Sequence, residues 1–197
     1  MKWLRRSFLA LILTCCTTVS PVQSLDASLN QSPVVDVVEP RQKQRRILII
    51  GDSEACAINM LASHVKDAHD VVDVDCKVST TVQYWGAQGN FRAALSRHPQ
   101  PNVVIIFLGT NHYWEPHPTP DVTPILDVIN ELGLGCVWVG NVAVRGKQWP
   151  INSYLRNVVQ PTCKYFDSEN VNIQLSDGVH PTRTGAILWR TLIWKLL

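Results

Sequence analysis

From residue 46 onward, short continuous apolar runs alternate with stretches whose apolar positions recur at helical spacing. Residues 47–50 form a β-branched-rich run ending in Gly51, the pattern of a strand buried on both faces. Residues 54–67 carry Ala57, Ile58, Leu61 and Val65 close to a helical period. A second strand is expected over 71–78 and a helix over 88–97. Residues 102–108, Asn-Val-Val-Ile-Ile-Phe-Leu, are the strongest strand pattern in the chain. A helix over 121–132 follows, with Gly133 as its stop. Then come a strand over 136–139, a helix over 151–159, a strand over 164–166 and a closing helix over 184–196. Strands that alternate with helices imply parallel β-α units, with helices on both faces of one sheet. The fold class read from this pattern is α/β, a three-layer α/β/α sandwich. In such sheets chemistry gathers at the carboxyl ends of the strands. No internal repeat or low-complexity segment interrupts the alternation.

The first 45 residues do not share it. Lys2, Arg5 and Arg6 precede an apolar stretch from Phe8 to Cys16, and Val22 and Ser24 are small residues at the spacing a signal peptidase accepts. A secretory signal over 1–24 is expected, with cleavage after Ser24. The apolar stretch is too short for a bilayer span, which needs about 20 residues. Thr14-Cys15-Cys16 loosely matches a lipoprotein box, with the wrong residue before each cysteine, so a secreted or periplasmic protein is the leading expectation and lipid anchoring the lesser one. Residues 25–45 are polar, are interrupted by Pro33 and Pro40, and read as a linker; residues 46–197 read as one domain.

Composition narrows the classes. Of 197 residues, 46% are apolar and 17% charged, which is the balance of a globular protein. The formal charge of +2 includes Lys2, Arg5 and Arg6; without them 15 basic residues face 16 acidic ones. A near-neutral domain without a clustered basic face argues against a nucleic-acid partner. Cys56, Cys76, Cys136 and Cys163 remain after cleavage, an even number that favours two disulfides in an oxidising compartment. Without a Cys-x-x-Cys or His/Cys cluster no zinc site is expected, and no organic cofactor is implied either.

Three motifs fall at predicted strand ends. Gly51-Asp52-Ser53 follows the first strand and opens a helix, where free N–H groups and the helix dipole favour a developing oxyanion. Helix capping alone would also place Asp or Ser there. Asp177-Gly178-Val179-His180-Pro181 precedes the last helix. A serine nucleophile needs an imidazole base, and the imidazole needs a carboxylate to orient it; a polar surface turn is the plainer alternative. Gly109-Thr110-Asn111 ends the strongest strand, where an amide could donate to an oxyanion or simply shape a turn.

Together, in this order, the motifs resemble the SGNH (GDSL-like) hydrolase family of serine esterases and lipases, over nearly the whole domain from about residue 46. Gly51-Asp52-Ser53 is similar to its first block, Gly109-Thr110-Asn111 to its third and Asp177-x-x-His180 to its last. The resemblance implies a flavodoxin-like parallel sheet of five strands in the order 2-1-3-4-5. It implies a serine hydrolase acting on carboxylic esters, with Ser53 acylated, His180 as general base and acid, and Asp177 orienting His180. The oxyanion hole would comprise the Ser53 N–H, a second-block N–H and the Asn111 side chain. Two positions depart from the family pattern. Ser79 stands where a glycine is usual in the second block, with Gly86 a less suitable substitute, and His112 stands where Asp often follows the Asn. The family topology makes the strands of Cys136 and Cys163 neighbours, and Cys76 flanks the strand before Cys56; the pairings expected are Cys56–Cys76 and Cys136–Cys163.

Aromatic residues on the active-edge loops, Trp85, Tyr113, Trp114 and Trp149, are the expected substrate-binding residues, suited to a carbohydrate face or an acyl chain. Arg145 and Lys147 are either anion-binding or merely solvated. Without a long lid insertion, a short acyl group such as acetyl is expected, on a small ester or an O-acylated carbohydrate, in a monomer with no membrane span after signal removal. Two alternatives stay open: an O-acyltransferase with the same triad, and a non-catalytic glycan-binding domain.

Overall fold

The computed structural model describes residues 44–145 and 150–197. The expected signal over 1–24 and nearly all of the linker over 25–45 lie outside these residues, as do Lys147 and Trp149. Five strands, β1 (Arg46–Gly51), β2 (Val71–Cys76), β3 (Val103–Phe107), β4 (Gly135–Val139) and β5 (Lys164–Phe166), form one parallel sheet. Their order is β2-β1-β3-β4-β5, the order expected above.

The apolar strand runs are unbroken because both faces of the sheet are covered. Leu48, Ile50, Val104, Ile106 and Trp138 pack in a cluster with α2 (Val82–Trp85), α3 (Asn90–Arg97), α4 (Thr123–Leu132) and α5 (Pro150–Val159). Their sequence neighbours Ile47, Ile49, Ile105, Phe107 and Val137 pack on the other face with α1 (Ser53–Ala62) and α6 (Arg183–Trp194). β2 is an edge strand, and Asp73 and Asp75 in it blunt that edge against pairing with another chain.

Most element ends lie within two residues of the sequence expectation, the short α2 was not expected, and two ends bear on the site. α1 stops at Ala62 and not near residue 67. The chain turns there: Val65 N–H donates to the Ala62 carbonyl at 3.0 Å, and the Val65 carbonyl accepts from Arg190 Nε of α6 at 2.7 Å. β2 stops at Cys76; Lys77 N–H still donates to the Gly51 carbonyl, after which Ser79 enters the left-handed region at φ 59°.

Where β1 ends, Gly51 adopts φ 156°, and a Cβ there would lie 2.1 Å from the Phe107 carbonyl oxygen. That same oxygen accepts Asp52 N–H at 3.1 Å, so the carboxyl ends of β1 and β3 are sealed together. Cys56 of α1 is bonded to Cys76 of β2, with Cα atoms 5.5 Å apart. Cys136 of β4 is bonded to Cys163, just before β5, with Cα atoms 4.6 Å apart.

The second bridge closes a loop of 27 residues across two neighbouring strands. On the chain-entropy account such a loop contributes about 3–4 kcal/mol. A Cys136→Ala/Cys163→Ala double variant is expected to melt roughly 10 °C lower in circular dichroism. An unaltered midpoint would show that the bridge adds nothing to packing already complete without it.

Candidate active site

Ser53 is the first residue of α1, capped by Asp52, whose Oδ1 accepts Glu54 N–H at 3.0 Å. Its backbone N–H is one of the groups a helix leaves without an internal acceptor, and the positive end of the helix dipole lies here. The turn that carries His180 comes from the far end of the chain. His180 Nε2 lies 3.0 Å from Ser53 Oγ across a sequence separation of 127. His180 Nδ1 lies 2.8 Å from Asp177 Oδ2. Asp177 Oδ1 accepts the backbone N–H groups of Val179 (2.9 Å) and His180 (2.7 Å). Gly178, at φ 81°, lets the turn close tightly enough for both. The His180 ring bond, then these two amides, hold the Asp177 carboxyl far below its ordinary range. It stays ionised, as an orienting carboxylate must.

Ser53, Ser79, Thr110, Asn111, Tyr113 and His180 line a cavity of about 280 Å³, closed further by Val144 and Arg145. Asn111 Nδ2 donates to the Thr80 carbonyl at 2.8 Å and makes a longer 3.4 Å contact with Asp52 Oδ2. Ser79 takes the backbone conformation a glycine would favour at its place in the loop. Thr80, next to it, is buried; its Oγ1 donates to the Lys77 carbonyl at 2.7 Å and accepts Trp85 Nε1 at 3.0 Å.

Trp85 therefore does not line the cavity. Only 1% exposed, it packs in the core and pins the loop that presents Ser79. The sequence expectation of a substrate platform at Trp85 is corrected: its position just after an active-edge loop was legible, but the inward direction of its ring was not. Tyr113 and Trp114 are exposed, edge to face with ring centroids 4.9 Å apart, and Tyr113 borders the cavity. His112 is buried, with Nδ1 2.8 Å from Glu115 Oε1, and so braces the loop after Asn111. Arg145 is exposed at the cavity wall, its N–H donating to the Gly178 carbonyl at 2.7 Å. Gly86 caps α2 and is not among the residues lining the cavity.

Two further carboxyls, Asp52 and Glu54, flank Ser53 in the chain. Burial pushes Asp52 up to about 7, against the opposing hydrogen bond from Glu54 N–H. Glu54 is 2% exposed, and neither carboxyl oxygen has a hydrogen-bond partner among the described residues. Burial, and after it the charges of Asp52 and Asp177, raise Glu54 well above the usual carboxylate range. Sequence reading passed over Glu54, although its spacing from Ile58 and Ala62 puts it on the inward face of α1.

A raised carboxyl in the folded state stabilises below its unfolded pKa, near 4.5 for Glu54, and that contribution is lost as pH rises through the folded value. Glu54→Leu, similar in volume and uncharged, is expected to raise the urea midpoint relative to the parent at pH 8 and not at pH 4. A difference independent of pH would mean that Glu54 ionises as an ordinary surface acid.

No family model and no curated protein sequence matches the chain. Solved structures do. The psychrotrophic esterase EstA from Pseudoalteromonas sp. is 15% identical, with a TM-score of 0.53 over 77% of this chain and 94% of that one. The acetylxylan esterase Axe2 from Geobacillus stearothermophilus is 16% identical, with a TM-score of 0.54 over 76% and 92%. A lipase/acylhydrolase from Enterococcus faecalis is 17% identical, with a TM-score of 0.52 over 77% and 94%. The five-stranded parallel sheet and its flanking helices are thus the fold that these solved esterases share.

Proposed function

We propose that this chain is an exported serine esterase that cleaves a short-chain carboxylic ester through an acyl-Ser53 intermediate. The observation that carries the reading is the unbroken line from Ser53 Oγ through His180 to Asp177, at 3.0 and 2.8 Å. His180 Nε2 takes the Ser53 proton as Oγ attacks the carbonyl carbon. The resulting oxyanion is held by the Ser53 and Ser79 backbone N–H groups and by Asn111 Nδ2. His180 then returns its proton to the departing alkoxide. Water then attacks the acyl carbon as His180 takes its proton, and His180 returns that proton to Ser53 Oγ as the Oγ–carbon bond breaks and the acid leaves. Asp177 stabilises the imidazolium in both halves and is not itself protonated.

The cavity of about 280 Å³ suits a small acyl group such as acetyl. Export is supported by the residue pattern over 1–24 and by two disulfides, which persist in oxidising compartments. A second reading of the substrate, an O-acylated carbohydrate, is favoured by the exposed Tyr113–Trp114 pair beside the cavity. Acetylxylan esterases among the structural neighbours fit that reading.

Hydrolysis of a short-chain aryl ester by the purified protein tests the proposal. Ser53→Ala is expected to lower kcat by about 10⁴-fold or more, and Asn111→Ala by about 10²–10³-fold. Asp177 stays ionised well into acid, so activity at mildly acidic pH is expected not to fall through its protonation, which a pH–rate profile checks. Equal rates for parent and Ser53→Ala would end the acyl-serine reading.

A further inference from the structure

Beyond Ser53, α1 carries only two polar residues, Glu54 and the half-buried Asn59. Its single charged residue, Glu54, is buried inward, while Met60 is 76% exposed and Cys56, Ala57 and Leu61 share its outer side. A surface helix ordinarily turns charged and polar residues to water, and a contiguous apolar face marks a binding surface. Here that face forms one wall of an open groove of about 500 Å³. Ser176, Pro181, Thr182 and Arg183 form the opposite wall, and Val78, 61% exposed, overhangs it. Ser53 and His180 belong to the groove as they do to the cavity described above.

The two spaces differ in what else they hold. The cavity contains Ser79 and Asn111; the groove contains neither. In ester cleavage the carbonyl oxygen faces the oxyanion donors, so the acyl half belongs to the cavity. The leaving oxygen must receive its proton from His180 Nε2, and the turn that continues from His180 is a wall of the groove. We propose that the groove along α1 binds the alcohol half of the ester, and that this half carries an apolar chain. The proposal rests on the esterase reading and adds the class of alcohol to it, an alkyl alcohol in place of the carbohydrate of the second substrate reading. From Ser53 to Leu61 the helix rises about 12 Å, room for an alkyl chain of roughly eight carbons. Cys56 lines the groove and is bonded to Cys76, so this wall is fixed before substrate arrives.

Two ester series test it with the full protein: acetates of ethyl to octyl alcohol, and ethyl esters of acetic to octanoic acid. The parent is expected to gain about two- to fourfold in kcat/KM per methylene of the alcohol, and nothing along the acid series. Met60→Glu, at an exposed position that tolerates charge, should flatten the alcohol series. Leu132→Glu, on α4 away from the groove, should keep the parent's slope. A flat alcohol series in the parent would overturn the proposal, as would a rise along the acid series alone. An unaltered slope in Met60→Glu would do the same, including where that variant changes the oligomeric state and so assigns the face to a second copy. If neither series is hydrolysed, the esterase reading fails separately, and calorimetry with 1-octanol decides. Binding by the parent that Met60→Glu weakens would uphold an apolar-chain site, and no binding by the parent would remove it.

Discussion

The carbonyl oxygen of Phe107 sits where a side chain on Gly51 would have to be, 2.1 Å from the position of a Cβ, and it accepts Asp52 N–H. Any other residue at 51 would drive the ends of β1 and β3 apart. With glycine there, the two strands deliver their following segments to one place: α1 with Ser53 at its start, and the loop with Asn111. The third segment arrives because α6 packs with α1 on the same face of the sheet, which brings the turn before it over the start of α1. A contact spanning 127 residues of sequence thus depends on the packing of two helices and one missing side chain.

Three carboxyls lie close to Ser53, and solvent and hydrogen bonding set them apart. Asp177 is half exposed and is held by the His180 ring and two backbone amides, which keep it charged. Asp52 is fully buried, accepting Glu54 N–H and a longer contact from Asn111 Nδ2, and Glu54 is buried with no partner among the described residues. Burial without partners favours the neutral acid. Glu54, and less strongly Asp52, are thereby shifted toward the neutral acid, while Asp177 stays charged beside the His180 ring. A second full charge at Glu54 would lie in a medium that screens poorly and would work against the packing of α1.

The strands were legible because burial on both faces leaves an unbroken apolar run, and runs such as residues 103–107 have no competing pattern. The sheet order and the disulfide partners were not readable from those runs. They came with the likeness of Gly51-Asp52-Ser53, Gly109-Thr110-Asn111 and Asp177-x-x-His180 to a known set of blocks. Side-chain direction was the weaker link. Trp85 and Trp114 both follow active-edge strands, yet one is in the core and the other on the surface. The four-residue helix α2 makes the difference by turning Trp85 back under the loop of Thr80. Nothing local distinguishes the two. Glu54 escaped for the opposite reason: its helical spacing was visible, but a carboxylate is not expected on a buried face unless a partner is present.

α1 brings these threads together, since three kinds of surface meet on ten residues. Its N-terminus offers N–H groups and a positive potential to the reacting oxygen. Its inward face packs Ala55, Ile58 and Ala62 against the sheet and encloses the neutral Glu54. Cys56, Ala57, Met60 and Leu61 line a groove that begins at Ser53. A helix needed only to position a serine could carry Lys or Glu at the position of Met60, with gain in solubility and no loss of packing. An unbranched apolar side chain, 76% exposed and bordering a groove that includes Ser53 and His180, departs from that expectation in the direction of binding. The placement of the groove then follows from the chemistry. The oxyanion donors take up the other side of Ser53, and what leaves toward His180 has the wall of α1 as the surface nearest to it.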